Sequence, residues 1–288
     1  MIKLSIISLS FKRAFQAGTM DASSFVDVCR ELNVDGIDFN ARSIGEGAGA
    51  SKAAIIDLKE RCIRQGLAIA CLSISNNFGK PADQLPDEVA MTKRWIDRAL
   101  LLGAPQVRVF AGTPNSREPR EVTWQRCSAA LKEIADYGYA QGVLVSLQNH
   151  NHGALTETGD DVLRFLDEGA PHLSHVWDTG QYVGSPGASG ANAETGAQEV
   201  LYQSLQQTVR RATHVRCKVY RIASGTEAWL DYPRIVAMLR GAGYNGFCSI
   251  VYEGNGDELA DVRRAVTYLR SLLRQSEEAG APARGALP

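Results

Sequence analysis

Residues 124–153 read WQRCSAALKEIADYGYAQGVLVSLQNHNHG, and three kinds of sequence follow one another in that stretch. The spacing predicts a helix over 124–141. Gly142 stands just beyond it, where the chain stops a helix and turns. Residues 143–147 then read as an apolar strand of the kind buried on both faces, ending at Gln148. At that end the composition changes abruptly to Gln148, Asn149, His150 and His152. Helix, buried strand and polar strand end are the repeating unit of a parallel α/β protein.

Working outward, the same alternation recurs until eight units can be counted. Strands are expected at 3–8, 36–39, 68–74, 107–110, 143–147, 175–177, 213–219 and 247–252. Helical periodicity fills the intervals. One helix begins near Asp21, with Phe25, Val28, Cys29 and Leu32 recurring at three and four residues. Others are expected at 53–65, followed by Gly66; at 87–102, stopped by Gly103 and Pro105; and from the caps Thr158 and Asp160 to Leu166. The last three are expected at 199–212, 233–240 and 259–273. Eight strands alternating with helices predict one (β/α)8 barrel over 1–274, a length usual for that fold. Residues 275–288, QSEEAGAPARGALP, have no periodic apolar face and are expected to be a frayed tail. A Gly, Ser, Ala and Asn stretch at 185–197 is expected to be a loop or lid.

Composition narrows the classes of function. The chain has 288 residues, 44% hydrophobic and 22% charged, enough to bury a large core. Its 31 basic and 32 acidic residues leave a net charge of -1, so no broad positive field exists to hold a phosphate backbone, and no nucleic-acid partner is expected. No run of about 18 apolar residues occurs, so no membrane span is expected. Residues 1–15 read as a strand and not as an export leader, and a cytoplasmic location is expected. Six cysteines, at 29, 62, 71, 127, 217 and 248, form no CxxC pair and are expected to be reduced core thiols.

In a barrel of this kind, reactive groups project from the C-terminal ends of the strands, so those residues are read as one pocket. Asn76 and Asn77 follow the third strand. Arg108 lies in the fourth, Gln148, His150 and His152 end the fifth, and Asp178 follows the sixth. His214, Arg216 and Lys218 alternate along the seventh and share a face, and Glu253 ends the eighth. His150, Asp178, Arg216, Lys218 and Glu253 are the candidate catalytic groups. Asn76, Arg108, Gln148, His152 and His214 are the candidate substrate contacts, Arg108 being suited to a carboxylate or phosphate. An ordinary structural role competes at each position: hydrogen-bonded histidines, an internal arginine, and a Lys218–Glu253 ion pair.

Five segments, VRVFAG (107–112), LQNHNHG (147–153), HVWDTGQY (175–182), HVRCKVY (214–220) and GFCSIVYEG (246–254), resemble the successive strand ends of the xylose isomerase-like barrels, which include sugar and sugar-phosphate isomerases and epimerases. The resemblance implies that fold, and an activity on a small polyhydroxylated carbonyl compound. It also implies a divalent metal held by Glu, Asp, His and Glu from strands five to eight. Three of those positions depart here: Gln148, Arg216 and Val251 replace ligands, and Asp178 alone is kept. No metal or other cofactor is therefore expected, since Arg216 is a permanent cation and Val251 offers no donor.

The leading expectation is that Arg216 pairs with Asp178 where the metal would sit. Proton abstraction beside a carbonyl would then leave an enediolate stabilised by Arg216 and Lys218, with His150, Glu253 or Asp178 as acid and base. The alternative is a catalytically inactive barrel that binds a sugar or a partner. A third reading rebuilds a metal site from His150, His152, Asp178 and Glu253. The DNA-repair endonucleases that share the barrel use many more histidine and acidic ligands than the five histidines here allow. The expected partner is a sugar or polyol-like small molecule, and a homodimer through the stretch 263–273 remains open.

Overall fold

The computed structural model describes residues 1–45, 50–187 and 195–280. Eight parallel strands close into a barrel in sequence order: β1 Lys3–Ile7, β2 Gly36–Asn40, β3 Ala68–Ser73, β4 Gln106–Val109, β5 Leu144–Gln148, β6 Leu173–Asp178, β7 Ala212–Val219 and β8 Phe247–Tyr252. The helices are α1 Lys12–Gln16, α2 Ala22–Glu31, α3 Lys52–Arg64, α4 Leu85–Leu102, α5 Arg120–Gln141, α6 Gly159–Glu168, α7 Thr195–Thr208, α8 Tyr232–Gly241 and α9 Glu258–Gly280. All eight expected strands are present, with ends displaced by a residue or two. Residues 8–16 form a 3-10 turn and the short helix α1, which carry no apolar period and are invisible to a periodicity argument.

Capping chemistry fixes the helix starts. Asp21 accepts the Ser24 backbone N–H at 2.8 Å, and the Ser24 hydroxyl accepts that of Asp21 at 2.9 Å, closing a capping box ahead of α2. Thr158 caps α6 by accepting from the Asp161 N–H at 3.2 Å. Gly66 follows α3 at φ 70°, a left-handed geometry that a Cβ disfavours.

Each helix turns one stripe inward. Val89, Trp95, Ile96, Ala99 and Leu102 of α4, and Trp124, Cys127, Leu131, Ile134 and Ala135 of α5, are buried against the barrel. In α9, Val262, Val266, Leu269 and Leu273 face the core, while Arg263, Arg264 and Ser271 face out. This helix runs on to Gly280, past the end expected at Leu273 and into the expected tail; the remainder of that tail, 281–288, lies outside the described residues, as does 188–194 of the expected loop. All six cysteines are buried and free. Among the described residues no helix is long and apolar enough to cross a membrane.

The lumen is unusually polar. Register pairs Ser73 with Arg108, Arg108 with Ser146, Arg216 with Ser249, and Ser249 with Ser5. Side chains from opposite walls meet, as β7 touches β2 and β3 through His214 and Arg216, so these residues point to the barrel axis. Buried polar groups must find partners, and those partners decide the chemistry.

Candidate active site

Among the described residues two carboxylates lie in the lumen, both fully buried. Asp38, from β2, is the one sequence reasoning missed. Its Oδ2 lies 2.7 Å from His214 Nε2 and 3.8 Å from Arg216 Nη2, and its Oδ1 accepts from the Ser5 hydroxyl at 3.3 Å. Arg216 also donates to the Ser73 hydroxyl. The expected Arg216–Asp178 ion pair is thus absent, although the two residues are register neighbours. The guanidinium crosses the lumen to the β2–β3 wall, where a carboxylate and a hydroxyl give it a better-satisfied position than a single strand-mate would. His214, expected to touch substrate, lies deep beside Asp38 instead.

Asp178 has neutral partners. Oδ2 accepts from Gln148 Nε2 at 2.7 Å, and Oδ1 accepts from the Gly180 N–H at 3.0 Å. Its backbone is clamped by Asn149, which donates Nδ2–H to the Asp178 carbonyl at 2.9 Å and accepts the Asp178 N–H at 2.8 Å. No cation comes within 4 Å of this carboxylate among the described residues. Burial therefore pushes its pKa from 3.8 up to about 6, with Lys218 and, more weakly, Arg216 working against the rise from a distance. Gly180 permits the approach of the seventh strand: a Cβ there would lie 2.7 Å from Lys218 Cγ and from the Tyr220 hydroxyl.

Lys218 is buried and pairs with Glu253, whose side chain is 45% exposed at the mouth. Burial would raise the Glu253 carboxyl, but the Lys218 ammonium outweighs it and holds the group below its usual range. The Tyr232 hydroxyl donates to the Lys218 carbonyl at 2.5 Å and the Lys218 N–H donates to Thr179 Oγ1 at 3.0 Å, fixing the strand. His150 packs edge-on against Phe110, with centroids 4.8 Å apart, and lies 4.9 Å from the ring of the exposed His152. Burial first, then His152 and Arg108, lower the His150 pKa to about 4, so its ring is neutral near pH 7.

Arg108 donates from Nη1 to the Ile74 carbonyl at 2.8 Å, and its Cζ sits 4.0 Å from the Phe110 ring centroid. Asn76 spends both ends of its amide on the Phe110 backbone, donating to the carbonyl at 2.7 Å and accepting from the N–H at 2.8 Å. It extends the β3–β4 pairing and has little left for a ligand. Of the candidates, His150, Gln148, Asp178, Lys218, Glu253 and Arg108 gather around the upper lumen. Asn76 props its wall, and His214 and Arg216 lie with Asp38 beneath.

Asp38, Cys71 and His214 bring a carboxylate, a thiol and an imidazole within 4.8 Å of one another. The group does not suit a metal, because the permanently charged Arg216 guanidinium already faces the same Asp38 oxygen and would repel a dication there.

A closed, eight-stranded parallel barrel with its polar groups at the C-terminal strand ends defines the (β/α)8 class, many of whose members are enzymes. The family model described as xylose isomerase-like TIM barrel matches residues 26–272, and the chain belongs to that family. Among solved structures, an L-ribulose 3-epimerase superposes with a TM-score of 0.73 at 18% identity, covering 99% of this chain and 100% of that one. A D-tagatose 3-epimerase-like protein gives 0.71 at 16% identity over 96% and 100%. The D-allulose 3-epimerase from Methylomonas sp. gives 0.71 at 15% identity over 94% and 98%. At these identities the likeness speaks for the fold. No curated protein sequence matches the chain.

Proposed function

We propose that this barrel is a sugar isomerase or epimerase that acts on a small polyhydroxylated carbonyl compound without a metal. The observation that carries the reading is Asp178: a fully buried carboxylate held by an amide and a backbone N–H, with its pKa raised to about 6. Such a group is poised to take and return a proton near neutral pH. It would remove the proton from the carbon beside the substrate carbonyl, and the resulting enediolate would face the Lys218 ammonium and the deeper Arg216 guanidinium. Delivery of a proton to the opposite face of the same carbon by a second acid gives the epimer, and return of the proton by Asp178 to the neighbouring carbon gives the isomer.

The residues at the positions where the family holds a dication do not fit one. Gln148 turns its Nε2 toward Asp178, Val251 brings no donor, and Arg216 brings a fixed positive charge to the lumen. The competing reading, a barrel that binds without turnover, is favoured by the same substitutions, since Arg216 is engaged by Asp38 and Ser73 without any ligand.

Exchange of carbon-bound hydrogen for deuterium, followed by NMR in heavy water over a panel of ketoses, aldoses and sugar acids, separates these readings. Chelated wild-type protein is expected to exchange, and Asp178→Asn is expected not to. Exchange that appears only with added manganese, together with a stoichiometric dication retained on purification, overturns the metal-free mechanism. Ligand binding with no exchange on any member of the panel establishes the binding barrel instead.

A further inference from the structure

We propose that Arg108 receives a carboxylate, so that the ligand of this barrel is a hydroxylated sugar acid and not a neutral sugar. The inference rests on the reading above only for what happens to the ligand after it binds. Arg108 is 3% exposed, and no carboxylate lies within 4 Å of it among the described residues. Among the described residues its side chain makes one hydrogen bond, from Nη1 to the Ile74 carbonyl, and its Nε is buried without a partner. Lys218 has Glu253, and Arg216 has Asp38 at 3.8 Å. Arg108 is the lumen cation whose counter-charge the described residues do not supply. Burial and the neighbouring Arg216 lower its pKa only to about 9, so it stays charged at neutral pH.

A second unmet polar atom lies on the adjoining strand. Gln148 is 4% exposed, commits its Nε2 to Asp178, and leaves its Oε1 buried without a donor. Arg108, Gln148 and Asp178 come from the consecutive strands β4, β5 and β6, and Asp178 acts electrostatically on Arg108. A buried cation that lacks an anion, beside a buried acceptor that lacks a donor, is the complement of a hydroxy acid: the carboxylate accepts from Arg108 and a hydroxyl donates to Gln148 Oε1.

Carboxylate is favoured over phosphate on charge and shape. The lumen already holds Asp38 and Asp178, so a dianion would meet two carboxylates with one free guanidinium to offset them. The Phe110 ring covers the Arg108 guanidinium, and the partners still to be supplied must come in its plane, as the two oxygens of a carboxylate do.

Calorimetric titration of the intact protein with matched probes tests this: D-gluconate against D-glucitol, and D-glucuronate against both D-glucose and D-glucose 6-phosphate. At least one acid is expected to bind about tenfold more tightly than its neutral partner, as a charge-assisted pair in a buried site allows. Arg108→Gln is expected to erase that preference, and Arg108→Lys to keep part of it. The proposal is overturned by wild-type protein in which neither acid outbinds its neutral partner, by Arg108→Gln retaining the preference, or by glucose 6-phosphate outbinding both acids. The wild-type comparison needs no variant to fold. An acid preference that persists in Asp178→Asn while no hydrogen exchange occurs in wild type supports the site and removes only the catalytic reading. Exchange on neutral sugars without any acid preference removes only the site.

Discussion

Asp38 and Asp178 are both buried in the lumen of the same barrel, and they live in opposite electrostatic surroundings. Asp38 is answered by the His214 ring at 2.7 Å and by the Arg216 guanidinium, a fixed cation, at 3.8 Å. Asp178 is answered by an amide and a backbone N–H, and its pKa climbs to about 6. Burial alone therefore does not make a carboxylate reactive. What distinguishes the two is whether the fold places a formal charge against the oxygen: Asp38 ties two walls of the barrel together, and Asp178 is left able to exchange a proton.

The sharpest way to break this comparison is Asp38→Ala. It would strand Arg216 and His214 in the lumen, and removal of one partner from a buried charge cluster costs about 3–5 kcal/mol. A drop of that size in unfolding free energy, read from denaturant melts, is expected, and a change below about 1 kcal/mol would show that the cluster is not structural. Asp178→Asn should reverse the pattern. Near pH 4, where the native carboxyl of wild type is protonated, its stability should stay within about 1 kcal/mol of wild type, because Asn keeps one acceptor and loses no ion pair. Hydrogen exchange on substrate should fall about 10²–10⁴-fold, the share usually carried by a general base.

A pH series sharpens the same contrast. The raised Asp178 pKa means that the native chain keeps a proton which the unfolded chain, with its carboxyl near 3.8, releases. That contribution to stability is present below about 4 and is lost as the pH climbs through 6. Wild type should therefore lose stability relative to Asp178→Asn over this window, by at most about 1.4 kcal/mol per pH unit. His150 and His175 work the other way: burial lowers both to about 4, so their contribution is present above 6.5 and fades on acidification. Both histidines remain in the variant, and the difference between the two melting curves isolates Asp178. A difference that does not vary between pH 4 and 6 would mean that the carboxyl titrates as an ordinary surface acid.

The barrel itself was legible because its signals are local. The run from Trp124 to Gly153 carries helix period, stop glycine, buried strand and polar end within one unit, and each of the other units repeats some of these. The upper lumen was legible for the same reason: Gln148, Asp178, Lys218 and Glu253 each lie within one residue of a strand end. What failed was pairing across the axis. Asp38 sits inside the apolar string GIDF and looks like one polar residue in an alternating strand, while its partner His214 is 176 positions away. No spacing rule reaches that far, so the sequence points Arg216 to Asp178, its neighbour on the adjacent strand, and not to the opposite wall. The early helix α1 was missed on the converse ground: KRAFQ is too short to show any period.

The smallest expected effect tests whether Asp178 is tuned by charges it does not touch. Glu253 works to raise the Asp178 pKa and Lys218 to lower it, and the two are joined at the mouth. In Glu253→Gln the Lys218 ammonium would lose its counter-charge and act on Asp178 unopposed. Stability should change by no more than about 1 kcal/mol, because Glu253 is nearly half exposed and water screens the pair. The Asp178 carboxyl should nonetheless move down, which carbon-13 NMR of the labelled side chain reads directly and the acid limb of the exchange rate reads functionally. Both should shift toward lower pH together. A carboxyl that stays put, or rises, would mean that burial and the Gln148 amide alone set its proton affinity, leaving the Lys218–Glu253 pair as packing at the rim.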